Sequence, residues 1–215
     1  MIRVQTPQPA ERSAGVSFLP MKTILFIDGR NFLGKLEDVF GAEQKSVPRW
    51  ETYNFRGLLN RVLEGISVDE KIFYFAKIKE HSDTKEKSKQ LILERRLLKT
   101  HLENQGFRVI LSGAVRGNYK KSERGKNVLV FKEKGVDVSI AVDMVAAACD
   151  KKMNFAIVGS SDSDLQPAIR ELNQRAVKVA YLGFEMMPNK GLAATTKRTI
   201  LIRNSEVLQA HQGLF

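Results

Sequence analysis

The sequence predicts an α/β protein in three layers, α/β/α, with helices on both faces of a mainly parallel central sheet. Short apolar runs of strand length, bounded by turn residues, recur at 23–27, 71–76, 107–111, 155–158 and 177–182. Between most of them lie segments whose apolar residues return at helical spacing. Strands alternating with helices are what a parallel sheet requires, since each crossover takes a dozen residues or more. A third observation concerns use. The runs at 23–27 and 155–158 break into turns that carry carboxylates, and open parallel sheets bind ligands at the carboxyl ends of their strands.

Taken in order, the run 23–27 ends in Asp28-Gly29-Arg30-Asn31. Residues 32–40 then place Phe32, Leu33, Leu36, Val39 and Phe40 at helical spacing, and Asn31 is a candidate cap for that helix. Residues 41–50 form a polar loop with Pro48, and 54–65 are a second helix with Leu58, Leu59, Val62 and Leu63 inward. After the strand 71–76, residues 81–104 make a long charged helix. Its Leu91, Ile92, Leu98 and Leu102 share a core-facing side, and Gly106 stops it. The segment 112–134 breaks the rhythm, with three glycines and seven Lys/Arg against two Glu, and fits a β-hairpin or mobile arm better than a crossover helix. Residues 136–148 are helical and mostly apolar. Past the strand 155–158, Pro167 belongs in the first turn of a helix 164–174, where its missing N–H has no partner to lose. Asp164 is then the expected cap, and Ser161-x-x-Asp164 reads as a capping box. Residues 189–209 offer a short helix, an edge strand 199–202 and a last short helix.

A chain of 215 residues can bury one sizeable core, and 43% apolar with 27% charged residues describes a soluble globular protein. No run of about 18 apolar residues is present, so no membrane span is expected. Residues 1–20 hold two arginines and no apolar stretch of secretory length and read as a disordered leader, with Met21 able to serve as the start. The single Cys149 can form neither an intrachain disulfide nor a cysteine zinc site, which fits a reducing, cytoplasmic location. Thirty-five Lys+Arg against 24 Asp+Glu give a net charge of +11. That surplus suggests a polyanionic partner, most simply nucleic acid.

Four places compete for chemistry: Asp28 with Asn31, Asp137, Asp143, and Asp162 with Asp164. Strand ends and crossover-helix starts share one rim of a parallel sheet, so these groups can converge although they are far apart in the chain. Clustered carboxylates repel one another unless a cation is present, and Mg²⁺ or Mn²⁺ takes such oxygen ligands readily. An ion of this kind polarises a phosphate and acidifies a bound water. Plain structural readings stand beside this one: Asp137 and Asn31 are each equally suited to cap their helices. Asp143 lies about 240° around the helix from Asp137 and is the weakest member. His81, His101 and His211 have no partner at ligand spacing, and Cys149 reads as a small residue packed in the core. In the basic arm, Arg116, Tyr119, Lys120, Lys121, Arg124 and Lys126 combine cations with an aromatic, as a groove tracking a single strand requires. Arg30, Lys134, Ser160 and Ser161 join them as nucleic-acid-binding candidates at the rim.

Three segments, Ile27-Asp28-Gly29-Arg30-Asn31, Lys134-Gly135-Val136-Asp137-Val138 with Val142-Asp143-Met144, and Val158-Gly159-Ser160-Ser161-Asp162-Ser163-Asp164, occur in the order and rough spacing of the NYN domain. The chain thus resembles that family, a branch of the PIN-like nucleases that includes LabA-like bacterial proteins, over about residues 21–185. The resemblance implies a PIN-like fold, with 186–215 as a C-terminal extension packing on the domain. It also implies a Mg²⁺- or Mn²⁺-dependent ribonuclease acting on single-stranded or looped RNA, and a homo-oligomer is compatible with it. Carried over by motif, Asp28, Asp137 and Asp162 look like the principal ligands, Asp164 and Asp143 secondary ones, and Asn31 a support. Where the family usually shows Ser-Gly-Asp-Ser-Asp-Phe, Ser161 replaces the glycine and Leu165 the phenylalanine. A side chain at 161 narrows the backbone approach to the site, which favours a non-catalytic RNA-binding or regulatory module as the alternative. A haloacid-dehalogenase-like phosphohydrolase needs an aspartate two residues after Asp28, where Arg30 stands. A dinucleotide-binding domain is disfavoured because no Gly-x-Gly-x-x-Gly follows the first strand.

Overall fold

The structure, a computed structural model, describes residues 21–80, 85–121 and 127–214. Strands β1 (Lys22–Asp28), β2 (Glu70–Ala76), β3 (Arg108–Ser112), β6 (Met153–Gly159), β7 (Lys178–Phe184) and β8 (Arg198–Ile202) form one sheet in the order β3-β2-β1-β6-β7-β8. Every neighbouring pair in it is parallel. β4 (Ala114–Lys121) and β5 (Asn127–Lys134) form a separate antiparallel hairpin.

Continuous apolar runs are the mark of strands buried on both faces, and here consecutive side chains of one run go to opposite cores. Leu25, Ile27, Phe73, Phe75, Ile157 and Leu182 point to one side. They meet the buried residues of α1 (Gly29–Ala42), α2 (Phe55–Val62), α3 (Lys85–Asn104) and α7 (Asn204–His211). Ile24, Phe26, Ile72, Tyr74, Ala156, Val158, Val179 and Tyr181 point to the other, under α4 (Val136–Cys149), α5 (Gln166–Gln174) and α6 (Lys190–Thr195). The helices thus make the outer two layers, as the alternation of elements predicts.

Several local expectations are corrected. Asp28, not Asn31, caps α1: its Oδ1 accepts from Asn31 N at 3.0 Å. Asp162, not Asp164, is the cap after β6. It precedes a 3-10 turn at Ser163–Leu165, its carboxylate accepts from Asp164 N at 2.9 Å, and α5 begins only at Gln166. The Ser161 hydroxyl is used elsewhere, so the expected capping box does not form. Asp137 does not cap α4, because the cap position is Gly135 in the left-handed conformation (φ 82°), which a residue without a Cβ adopts freely. Cys149 ends α4 exposed, not in the core.

The charged helix is described from Lys85, so His81 lies outside the described residues, as do residues 1–20, Arg124 and Lys126. Residues 186–214 supply β8, the sixth strand of the sheet, together with α6 and α7, and Val207 and Ala210 of α7 complete the core over α1 and α2. Tyr53, fully buried, donates its Oη to Val207 O at 2.9 Å and ties that last helix down. Among the described residues no helix is long and apolar enough to cross a membrane.

Candidate metal centre at the sheet edge

The strand order reverses direction between β1 and β6. From β1 the chain moves to α1 on one face, and from β6 it moves to α5 on the other. A crevice opens at such a switch point because the two connections diverge there. Register brings the two carboxyl ends level, Ile27 beside Gly159, so Asp28 and the loop from Ser160 leave the sheet side by side. The crossover that feeds β6 enters from the hairpin through Gly135, which puts the start of α4 over the same edge.

The result is a cleft of about 440 Å³ lined by Asp28, Arg30, Asn31, Lys134, Asp137 and Asp162, among others. Asp137 and Asp162 of this lining have one oxygen each within 4.8 Å of one another and of an oxygen of Asp164. Each acid sits at the start of a helix or 3-10 turn, where unpaired N–H groups provide partial positive charge. That placement lets one rim tolerate several carboxylates. Among the described residues Asp137 makes no hydrogen bond or ion pair, and an oxygen-only donor set at this spacing suits a hard divalent cation.

The expected site residues divide accordingly. Asp28 lines the cleft but stands outside the close trio, and it is mostly buried, at 9% exposure. Asp143 is not brought to this edge. Six residues further along α4 than Asp137, its Oδ2 accepts from Tyr74 Oη at 2.9 Å, in a different cleft that also contains Arg108 and Glu70. Burial, and then the hydrogen bond and charge of Asp143, raise the Tyr74 phenol well above its usual range. Asn31 serves the site through its side chain: Oδ1 accepts from Ser161 N at 3.1 Å and from Ser161 Oγ at 2.6 Å. Ser161 therefore latches the acidic loop to α1, and its φ is not positive, so the position does not require glycine.

Ser160 is buried and its Oγ accepts from Asp162 N at 3.1 Å, which makes it part of the loop's internal bracing. Arg30 is exposed and lies 3.5 Å from Glu37; Lys134 is exposed at the foot of the hairpin. Arg116, Tyr119, Lys120 and Lys121 lie on β4. Lys77 O accepts from Val115 N at 2.9 Å and anchors the hairpin's base beside the sheet. His101 lies 2.8 Å from Tyr53 O, and His211 packs edge-on against Phe40, both away from the cleft. Sequence reasoning missed Asn189, which reaches the acidic loop from the far side. Its place before a short helix signals a cap, and nothing local signals the contact with Ser161 and Ser163.

A family model described as NYN domain matches residues 22–203. No curated protein matches the chain. A solved structure, a protein of unknown function from Vibrio parahaemolyticus, is 18% identical and superposes with a TM-score of 0.50, covering 85% of this chain and 93% of that one. At that identity the likeness speaks for the fold alone.

Proposed function

Because the chain belongs to the NYN domain family, whose PIN-like fold is that of nucleases, we propose that it is a divalent-metal-dependent ribonuclease acting on single-stranded or looped RNA. The observation that carries this reading is the meeting of Asp137, Asp162 and Asp164 within 4.8 Å at the switch point of the sheet, the first two lining the cleft that Asp28 also lines. Asp137, Asp162 and Asp164, with Asp28 beside them, would hold Mg²⁺ or Mn²⁺. When bound, such an ion neutralises the cluster and supplies a water acidic enough to attack a phosphodiester near neutral pH.

The protein's own groups do the rest. Asn31 and Ser161 hold the acidic loop at a fixed distance from α1. Arg30 and Lys134, both exposed and both lining the cleft, are the cations placed to meet RNA phosphates there. β4 carries Arg116, Tyr119, Lys120 and Lys121, the mix of cations and an aromatic that a groove tracking a single strand uses. The net charge of +11 adds sequence-independent attraction that weakens as salt rises.

The alternative of a non-catalytic RNA-binding module rested on Ser161. With the Ser161 hydroxyl turned to Asn31, that residue braces the loop, and the catalytic reading is preferred. The test is cleavage of a labelled single-stranded RNA with Mg²⁺ or Mn²⁺ by the native chain and by Asp28→Asn, Asp137→Asn and Asp162→Asn. Cleavage that survives chelation and all three changes would refute the mechanism; saturable RNA binding without turnover in either metal would favour the alternative.

A further inference from the structure

The loop leaving β6 must hold Asp162 and Asp164 close to Asp137 although like charges repel at that range. Its own bonds are short-range: Ser160 Oγ accepts from Asp162 N, and the Asp162 carboxylate from Asp164 N. These shape the turn without fixing where it sits. One outside restraint is Asn31 on α1. The other comes from Asn189, in the connection after β7, whose Nδ2 donates to Ser161 O at 2.8 Å and to Ser163 Oγ at 3.1 Å. Asn189 is itself fixed at two further points. Its Oδ1 accepts from Leu192 N at 2.9 Å, capping α6, and its main-chain N donates to Tyr181 Oη at 2.9 Å.

Tyr181 is buried on β7, and its ring lies where a Cβ at Gly183 would be, 2.4 Å from the ring's Cζ and Oη. Only glycine at 183 leaves the tyrosine room to reach Asn189. A series of contacts therefore runs from the interior of β7 through Tyr181 and Asn189 to the two residues that flank Asp162.

We propose that Asn189 is a positioning residue for the Asp162–Asp164 loop: it touches no cation and sets the affinity for one by holding Ser161 and Ser163 in place. This rests on reading the acidic cluster as a cation site. Residues behind metal ligands commonly contribute 10- to 100-fold in affinity by orienting them. The two jobs of Asn189 are separable, because serine caps a helix as well as asparagine does but has no amide donor. Asn189→Ser keeps the cap of α6 and releases the loop, whereas Asn189→Ala loses both.

The experiment is Mn²⁺ titration calorimetry on the full chain, alongside thermal unfolding in chelator. Asn189→Ser and Asn189→Ala are expected to weaken Mn²⁺ binding to a similar degree, about tenfold or more, while Asn189→Ala, which also loses the cap, lowers the unfolding midpoint further than Asn189→Ser does. Tyr181→Phe, which removes the hydroxyl behind Asn189, is expected to weaken binding less. Native affinity in Asn189→Ser would overturn the inference, leaving Asn189 a helix cap. So would a fall in its midpoint matching that of Asn189→Ala, since general loosening would then explain the weaker binding. Asp162→Asn separates the two readings: if the native chain shows no Mn²⁺ binding that this change abolishes, the cation site itself fails.

Discussion

Asp162→Asn should make the protein more stable without metal and less stable with it. Two unit charges 4.8 Å apart repel by about 0.9 kcal/mol in a water-like dielectric. The water-like value is the appropriate one because Asp164 is exposed and the other two acids are half-buried. Neutralising Asp162 removes two such repulsions, about 1.8 kcal/mol. Against this, the lost charge forfeits a favourable interaction with the start of the 3-10 turn and α5, up to about 1 kcal/mol. The hydrogen bond to Asp164 N survives, because asparagine is as good a cap as aspartate. The balance, about 1 kcal/mol in favour of the variant, raises the unfolding midpoint by about 2–4 °C in a chain of this size. Scanning calorimetry in chelator reads it best at low ionic strength, where the Debye length is about 30 Å. Mn²⁺ at a hundred times its dissociation constant then stabilises the native chain by about 2.7 kcal/mol and the variant by little, so the order of the midpoints reverses. An unchanged order in both conditions would refute the assignment of Asp162 to a charged cation site.

Asp143→Asn is expected to leave Mn²⁺ affinity and RNA cleavage unchanged and to cost less than about 1 kcal/mol, since an amide oxygen still accepts from Tyr74 Oη. A tenfold loss of Mn²⁺ affinity in calorimetry would return Asp143 to the ligand set. Ser161→Gly restores the residue usual in the family and removes the short bond to Asn31 Oδ1 while keeping the one from the main-chain N. It should lower stability to urea by about 1 kcal/mol with metal binding retained, and loss of cleavage would show that the hydroxyl does more than brace. Tyr53 and Tyr74 are both raised by burial, so above the ordinary tyrosine value of about 10 the unfolded chain gives up protons that the folded chain keeps. Their contribution is complete below that pH and is lost as pH rises, by about 1.4 kcal/mol per pH unit for each tyrosine. Urea denaturation between pH 9 and 11 measures it; in Tyr53→Phe the slope should fall by one tyrosine's share, and an unaltered slope would count against the buried-phenol account.

The sequence by itself determined the sheet, its helical layers and the rim on which chemistry could gather. Those follow from periodicity: a run such as Ile24-Leu25-Phe26-Ile27 has no polar face to give water, so it must be covered twice, and the helices between the strands are what covers it. The segment 112–134 reads as a hairpin or a mobile arm from its glycines, which suit a crossover helix poorly, and the three acidic motifs are legible from the turns that follow apolar runs. The tertiary structure alone decided which acids meet. Asp137 and Asp143 stand on different faces of the same apolar helix, and the docking of α4 on the sheet sends the first to the switch point and the second to Tyr74. Caps were likewise undecidable locally. Asp28 and Asn31, or Asp162 and Asp164, are equally good acceptors two or three residues apart, and the choice falls to whichever carboxamide or hydroxyl is needed across the cleft. Asn189 had no sequence signal beyond its cap, because its contact with Ser161 spans 28 residues and exists only once β7 lies beside β6. Local propensity is written in neighbouring residues, whereas a site assembled from strand ends is written in register and packing, and these exist only in the folded chain.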